Sequence, residues 1–161
     1  MKKRCEKCGN EFEAREQYHR FCRNCISSPQ SETATVSGLL LKAYYKEDGN
    51  ILKEVYMHTP SQLANIFFNS RPSLAIKQLR DVHRKISRAK TRALLKGIDS
   101  ARAFLYECQN DLEYQLKRSV VPESFIQFMK HHLALAEKDE KSLEGFFKHL
   151  DSIVCYYPVK K

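Results

Sequence analysis

Residues 73–96 place apolar side chains at positions 75, 79, 82, 86, 89 and 93, in alternating steps of four and three. Only an α-helix brings positions so spaced onto one face, so this stretch predicts a long amphipathic helix with a single apolar seam. Arg71-Pro72 breaks the element before it, and Gly97 stops it. A seam of this kind must be covered, and the rest of the chain supplies further helices to cover it. Thr59 as N-cap and Pro60 as first helical residue predict a helix with Leu63, Ile66 and Phe67 inward. Asp99 is the expected cap of a helix over 99–117. Pro122 opens another over 122–137, with Phe125, Phe128, Met129, Leu133 and Leu135. A last helix over 140–156 carries Leu143, Phe146, Phe147, Leu150, Ile153 and Val154. About five helices with short connections predict an all-α bundle. No internal repeat stands out.

Residues 36–58 admit two readings. Leu39 to Tyr45 and Ile51 to Met57 are apolar runs on either side of Lys-Glu-Asp-Gly-Asn, and Asp48-Gly49 signals a hairpin. A short helix with an extended lead-in competes with it.

The chain has 161 residues, enough for one domain, or one domain with a small appendage. At 42% hydrophobic it can build a packed core, and five glycines and five prolines argue against a long disordered or collagen-like chain. No apolar run approaches the roughly 18 residues that span a bilayer. No apolar stretch follows the charged Met1-Lys2-Lys3-Arg4, so no secretory signal is read and a cytoplasmic location is expected.

The appendage is defined by cysteine. Cys5, Cys8, Cys22 and Cys25 form the pattern Cys-x2-Cys-x13-Cys-x2-Cys. In a reducing cytosol a disulfide reading is poor, whereas this spacing matches a structural zinc site. Two thiolates three residues apart on a tight turn can both face one metal, and Gly9 suits the turn after the first pair. Two such knuckles complete a tetrahedron and leave no open position for a substrate. In so small a segment, metal binding and folding are expected to be one event, worth on the order of 10 kcal/mol. A redox dithiol is a weaker reading, and His19 in place of a cysteine would strand Cys25. Phe12 and Phe21 are the expected mini-core. The expected organisation is a zinc knuckle over 1–26, a flexible linker over 27–35 without large apolar side chains, and the bundle over 36–161. Cys108 and Cys155, alone in apolar surroundings, read as buried, inert thiols.

The net charge of +9 is unevenly placed. Residues 71–102 hold ten basic and two acidic side chains, and residues 1–25 hold seven and four. The remaining two segments each carry one excess acid. Lys77, Arg80, Arg84, Lys85, Arg88, Arg92 and Lys96 follow a three-and-four spacing opposite the seam, with Lys90 between them. Only Asp81 offers local neutralisation. A solvated helix face usually mixes signs so that pairs form at i,i+4. A one-signed face predicts a polyanionic partner, and nucleic acid is the obvious one. A membrane surface fits poorly, because the opposite face lacks an aromatic wedge. Few groups in the stripe suit base edges; Gln78 stands alone, so contact with the backbone, indifferent to sequence, is expected. Arginine in its centre suits bidentate phosphate contact.

No glycine-rich phosphate loop, nucleophile elbow or His-x-x-x-His pair suggests catalysis or a small-molecule substrate. His131 and His132 point about 100° apart on a helix and cannot easily share a metal; they read as one partly buried and one surface histidine. Tyr156-Tyr157-Pro158 could stack on bases, although packing on the bundle is commoner. Glu47-Asp48 reads as a turn.

Three stretches carry a family resemblance over residues about 44–157. Tyr45-Lys46-Glu47-Asp48-Gly49-Asn50-Ile51-Leu52 is similar to an aromatic-acidic-glycine lead-in. Gln78-Leu79-Arg80-Asp81-Val82-His83-Arg84-Lys85-Ile86 resembles a Gln-Leu-Arg helix, and Phe146 to Tyr157 resembles a closing Phe-Phe signature. In order and spacing they resemble the small helical subunit of type III-A (Csm-type) CRISPR effector complexes. The resemblance implies an α-helical, non-catalytic subunit that stacks in several copies beside the backbone subunits. It also implies that residues around Gln78–Arg92 face the groove for guide RNA and target RNA, in a role in antiviral defence. The zinc knuckle departs from the family's usual pattern. The competing reading is a stand-alone zinc-knuckle regulator that binds DNA and dimerises through its helices.

Overall fold

A computed structural model describes residues 2–4, 11–13 and 35–159. The chain divides into two compact units, Met1–Thr33 and Ala34–Lys161. In the first, β1 (Lys2–Arg4) pairs antiparallel with β2 (Glu11–Glu13). Lys2 stands opposite Glu13 and Arg4 opposite Glu11, so the two outer cross-strand pairs join opposite charges, which favours this register.

The second unit is helical: a short α1 (Val36–Leu39), then α2 (Thr59–Asn69), α3 (Ile76–Lys96), α4 (Ile98–Lys117), α5 (Glu123–Ala136) and α6 (Glu140–Tyr156). The expected bundle of five substantial helices is present. Between α1 and α2 both readings of the lead-in hold in part. Tyr45 bridges Ile51 across a turn in which Gly49 has φ 85°, and a 3-10 turn follows at Lys53–Val55.

Helix α6 packs against α2, α3 and α5, and α4 lies between α3 and α5. That central place follows from sequence: Leu143, Phe146, Leu150 and Ile153 are fully buried, and so are Gly145 and His149 on the adjoining face. The apolar stripe is too wide for a helix with only one neighbour. The core is aromatic. Phe67 meets Phe125 and Phe128 edge-on with ring centroids 5.2 and 5.5 Å apart. Such contacts add to the burial of large rings.

Several boundaries and burial states differ from expectation. α3 begins at Ile76 because Leu74 and Ser73 are held by the preceding helix: Leu74 N–H donates to Phe67 O and Ser73 Oγ to Phe68 O. Thr59 is the first helical residue, with His58 before it in the N-cap position. Asp99 does not cap α4. Gly97, at φ 84°, ends α3 and begins α4 at once, leaving Asp99 in the first turn, where it pairs with Arg102. Cys108 is buried, and burial pushes its thiol up to about 11, but Cys155 is exposed because it lies on the outer side of α6.

The histidines depart furthest. His132 is fully buried and His131 half-buried, against the expectation of one surface residue. His132 stacks on Phe146 at 5.5 Å, and its Nδ1 accepts from Tyr44 Oη at 2.5 Å. His149 is also fully buried, donating from Nδ1 to Val55 O at 3.0 Å. His131 donates from Nε2 to Leu41 O at 2.7 Å. Three imidazoles therefore tie the lead-in to α5 and α6. Burial lowers His132 well below the ordinary histidine range and His149 to about 4, and it raises Tyr44. Tyr44, His132 and His149 are therefore neutral in the fold near pH 7. Gly145 makes room for Tyr44: a Cβ there would lie 2.5 Å from Tyr44 Cβ.

Candidate nucleic-acid interface

Helix α3 positions every cation of the stripe. Its start is fixed by Gln78, whose Oε1 accepts from Ala75 N–H at 3.0 Å while Nε2 donates to Val120 O at 3.0 Å. The one amide considered for reading bases is thus spent on structure. Leu79, Val82, Ile86, Ala89 and Ala93 are buried, as the seam predicts; Ala75, outside the helix, is not.

Directly opposite the buried row, Lys77, Arg80, Arg84 and Arg88 are exposed. Arg84 donates from Nη1 to Asp81 Oδ1 at 3.2 Å, yet its side chain remains 65% exposed. An exposed pair of this kind is worth at most about 1 kcal/mol and leaves most of the guanidinium free. Lys77, Arg80, Arg88 and the exposed Lys96 form no ion pair among the described residues.

The other three predicted cations are drawn toward neighbouring helices. Lys85 pairs with Asp111 of α4. Lys90 Nζ sits 4.5 Å above the ring of Phe147 on α6. Arg92 is half-buried, with its Nε enclosed. His83, on the same flank as Lys90, stacks on Phe147 at 5.0 Å and reaches Asp151 Oδ1 at 3.0 Å. The predicted stripe thus divides into an outward row and two docking flanks.

From Lys77 to Arg88 the row spans about 16 Å at 1.5 Å per residue. That is long enough to meet several successive phosphates of one strand. Arginine supplies three of the four charges, in the fork geometry that accepts phosphate oxygens pairwise. The face can hold a polyanion by its backbone. It carries no grouping of base, acid and nucleophile that would act on one.

The predicted metal ligands Cys5, Cys8, Cys22 and Cys25 lie outside the described residues, as do Phe21 and the side chain of Phe12. Among the described residues, no three histidine, cysteine, aspartate or glutamate side chains are grouped to hold a metal ion, and no helix is long and apolar enough to cross a membrane.

These features define a small helical protein with one basic, outward-facing helix surface. Comparison with protein families makes the assignment specific. The model for Csm2 Type III-A matches residues 43–161, and the chain belongs to that family. Its members are small subunits of type III-A CRISPR effector complexes. Searches of curated proteins and of solved structures returned no match.

Proposed function

We propose that this protein is a non-catalytic RNA-binding subunit that lines the groove for guide RNA and target RNA, and so contributes to antiviral defence in the cytoplasm. The observation that carries the reading is the outward row Lys77, Arg80, Arg84 and Arg88, exposed with only Asp81, among the described residues, to neutralise it. A row of like charges at i,i+3 and i,i+4 costs stability unless a polyanion compensates it. Lys96 adds an exposed cation at the end of α3, off the line of the row, while Lys85 and Lys90 serve chiefly to hold α3 against α4 and α6. Backbone subunits of the complex and further copies of this chain are the protein partners. A DNA regulator that reads duplex sequence would need free groups for base edges, and Gln78 is already engaged on both sides.

The test is RNA affinity of the full chain carrying Arg84→Ala with Arg88→Ala. Loss of at least tenfold at moderate salt is expected, with helicity unchanged; affinity equal to the wild type would contradict the assignment.

Cys5, Cys8, Cys22 and Cys25 hold one structural zinc ion in the first unit on this reading. Four thiolates saturate a tetrahedral site, so the ion folds the segment and offers no position for catalysis. Metal analysis should return one zinc per chain, lost in Cys22→Ser while the second unit keeps its melting transition. A chain without zinc, or a second unit that melts together with the first, would reject this part.

A further inference from the structure

The paired tyrosines at the end of α6 take separate roles. Tyr157 is buried, stands edge-on to Phe68 at 6.0 Å, and donates its hydroxyl to Leu74 O. Tyr156 is 46% exposed and lines a cleft of about 320 Å³ with Met57, His58, Ser61 and Gln62. Met57 is 48% exposed. The cleft lies between the start of α2 and the end of α6, and it shares no residue with the α3 row.

The backbone at its mouth is strained. His58 has φ 58° and ψ −66°, and Thr59 N–H donates to Met57 O at 2.7 Å, closing a three-residue turn. A non-glycine residue rarely adopts this turn, and such strain persists only where the surroundings enforce it. The helix follows at once: Gln62 N–H of α2 donates to His58 O at 3.0 Å. Met57 and His58 stand beside Tyr156 at the cleft.

The wall chemistry is mixed in a particular way. A phenol ring and a thioether give flat, polarisable, apolar surface. An amide, a hydroxyl and an imidazole give donors and acceptors. None of the five residues is acidic, so a chain of phosphates is not repelled. A nucleobase uses both kinds of wall, a face to stack on and polar groups for its edge.

We propose that this cleft is a second RNA contact, taking one unpaired nucleobase that stacks on Tyr156 and is held at its edge by Gln62. The proposal rests on the RNA-binding reading above and adds a base contact to its backbone contact. It gives the closing signature of the chain two functions, with Tyr157 fastening the tail and Tyr156 meeting the ligand.

The test uses the full chain and two short oligoribonucleotides of equal length, one oligouridylate with a single 2-aminopurine and one with an abasic residue in its place. Tyr156→Leu keeps apolar volume and removes the ring. It should lower affinity for the 2-aminopurine oligomer about tenfold and abolish its fluorescence change on binding, while leaving the abasic oligomer unaffected. Gln62→Ala should act in the same direction; Gln62 is exposed, so this variant carries the test if Tyr156→Leu melts early. Arg84→Ala with Arg88→Ala should weaken both oligomers alike. If the cleft variants bind both oligomers as the wild type does, the base contact is wrong, the cleft's occupant is not RNA, and the α3 row stands. If they weaken both oligomers equally, the base contact is also wrong. If only the arginine variant has no effect, the row is wrong and the base contact stands. A wild-type chain that binds neither oligomer contradicts both.

Discussion

The outward face of α3 and the interior between the lead-in, α5 and α6 treat polar groups in opposite ways. Inside, Tyr44, His132 and His149 are neutral, and they and His131 each make one defined hydrogen bond. Outside, four cations stand in a row with one acidic neighbour. Burial makes a charge expensive, so the interior keeps its polar groups uncharged and fixed. Water makes a charge cheap, so the outer row can hold its charge ready for a ligand. Stability should therefore reside in the first region and binding in the second, and substitutions can separate the two.

Acid should have the largest effect, and it should act on the interior. In the unfolded chain both buried histidines take a proton near pH 6.5, whereas His149 in the fold takes one only near 4 and burial holds His132 well below its ordinary range. As pH falls through this window the unfolded chain gains protons that the folded chain refuses, so stability is full above 6.5 and declines towards 4. For His149 alone the loss is about 3 kcal/mol at about 1.4 kcal/mol per tenfold change in proton affinity. The titratable side chains facing His132 are Tyr44, His131 and His149, and no carboxylate is among them. Thermal melts from pH 7.5 to 4 should show the decline, and His149→Gln should flatten it. A melting temperature independent of pH would show that these rings are not buried and neutral.

Gly145→Ala should have a smaller effect, of unusual sign. In an exposed helix this change stabilises by up to about 1 kcal/mol. Here the added Cβ would collide with Tyr44, and overpacking should cost about 1–3 kcal/mol. A denaturant titration with a raised midpoint would mean that the lead-in does not pack on α6 as described. The smallest change in stability is expected for Arg84→Ala with Arg88→Ala, within about 0.5 kcal/mol. A large loss there would dissolve the contrast between the two regions.

The sequence made some of this legible. The seam of α3 and the whole extent of α6 followed from spacing alone, because each has a continuous apolar row and a clear start or stop. In α6 that start is Asp139, whose Oδ1 accepts from Ser142 N–H at 2.7 Å. The row of α3 was also readable, within a stripe of seven cations opposite a seam with Lys90 between them. Its division was not. Whether Lys85 or Arg88 meets a neighbouring helix depends on where α4 and α6 dock, and neighbouring positions on a helical wheel do not carry that information. The buried histidines were misread for a related reason. His132 falls in phase with Phe128, Phe125 and Ala136, and His149 with Phe146 and Ile153. The periodicity marked both as core, while the residue type suggested surface. Periodicity decided because Tyr44 Oη and Val55 O supply the partners that make burial affordable. Cys155 failed in the opposite direction: an apolar neighbourhood in sequence lies on the outer side of α6.

The central claim is that the outward row of α3 neutralises phosphates. Its most direct test is the dependence of RNA affinity on salt in the full chain. On a single strand the logarithm of affinity should fall linearly with the logarithm of salt concentration, with a slope of about −0.7 per phosphate neutralised. Removing both Arg84 and Arg88 should make the slope shallower by about 1.4, two phosphates' worth. An unchanged slope in that variant, or a flat dependence in the wild type, would contradict the account.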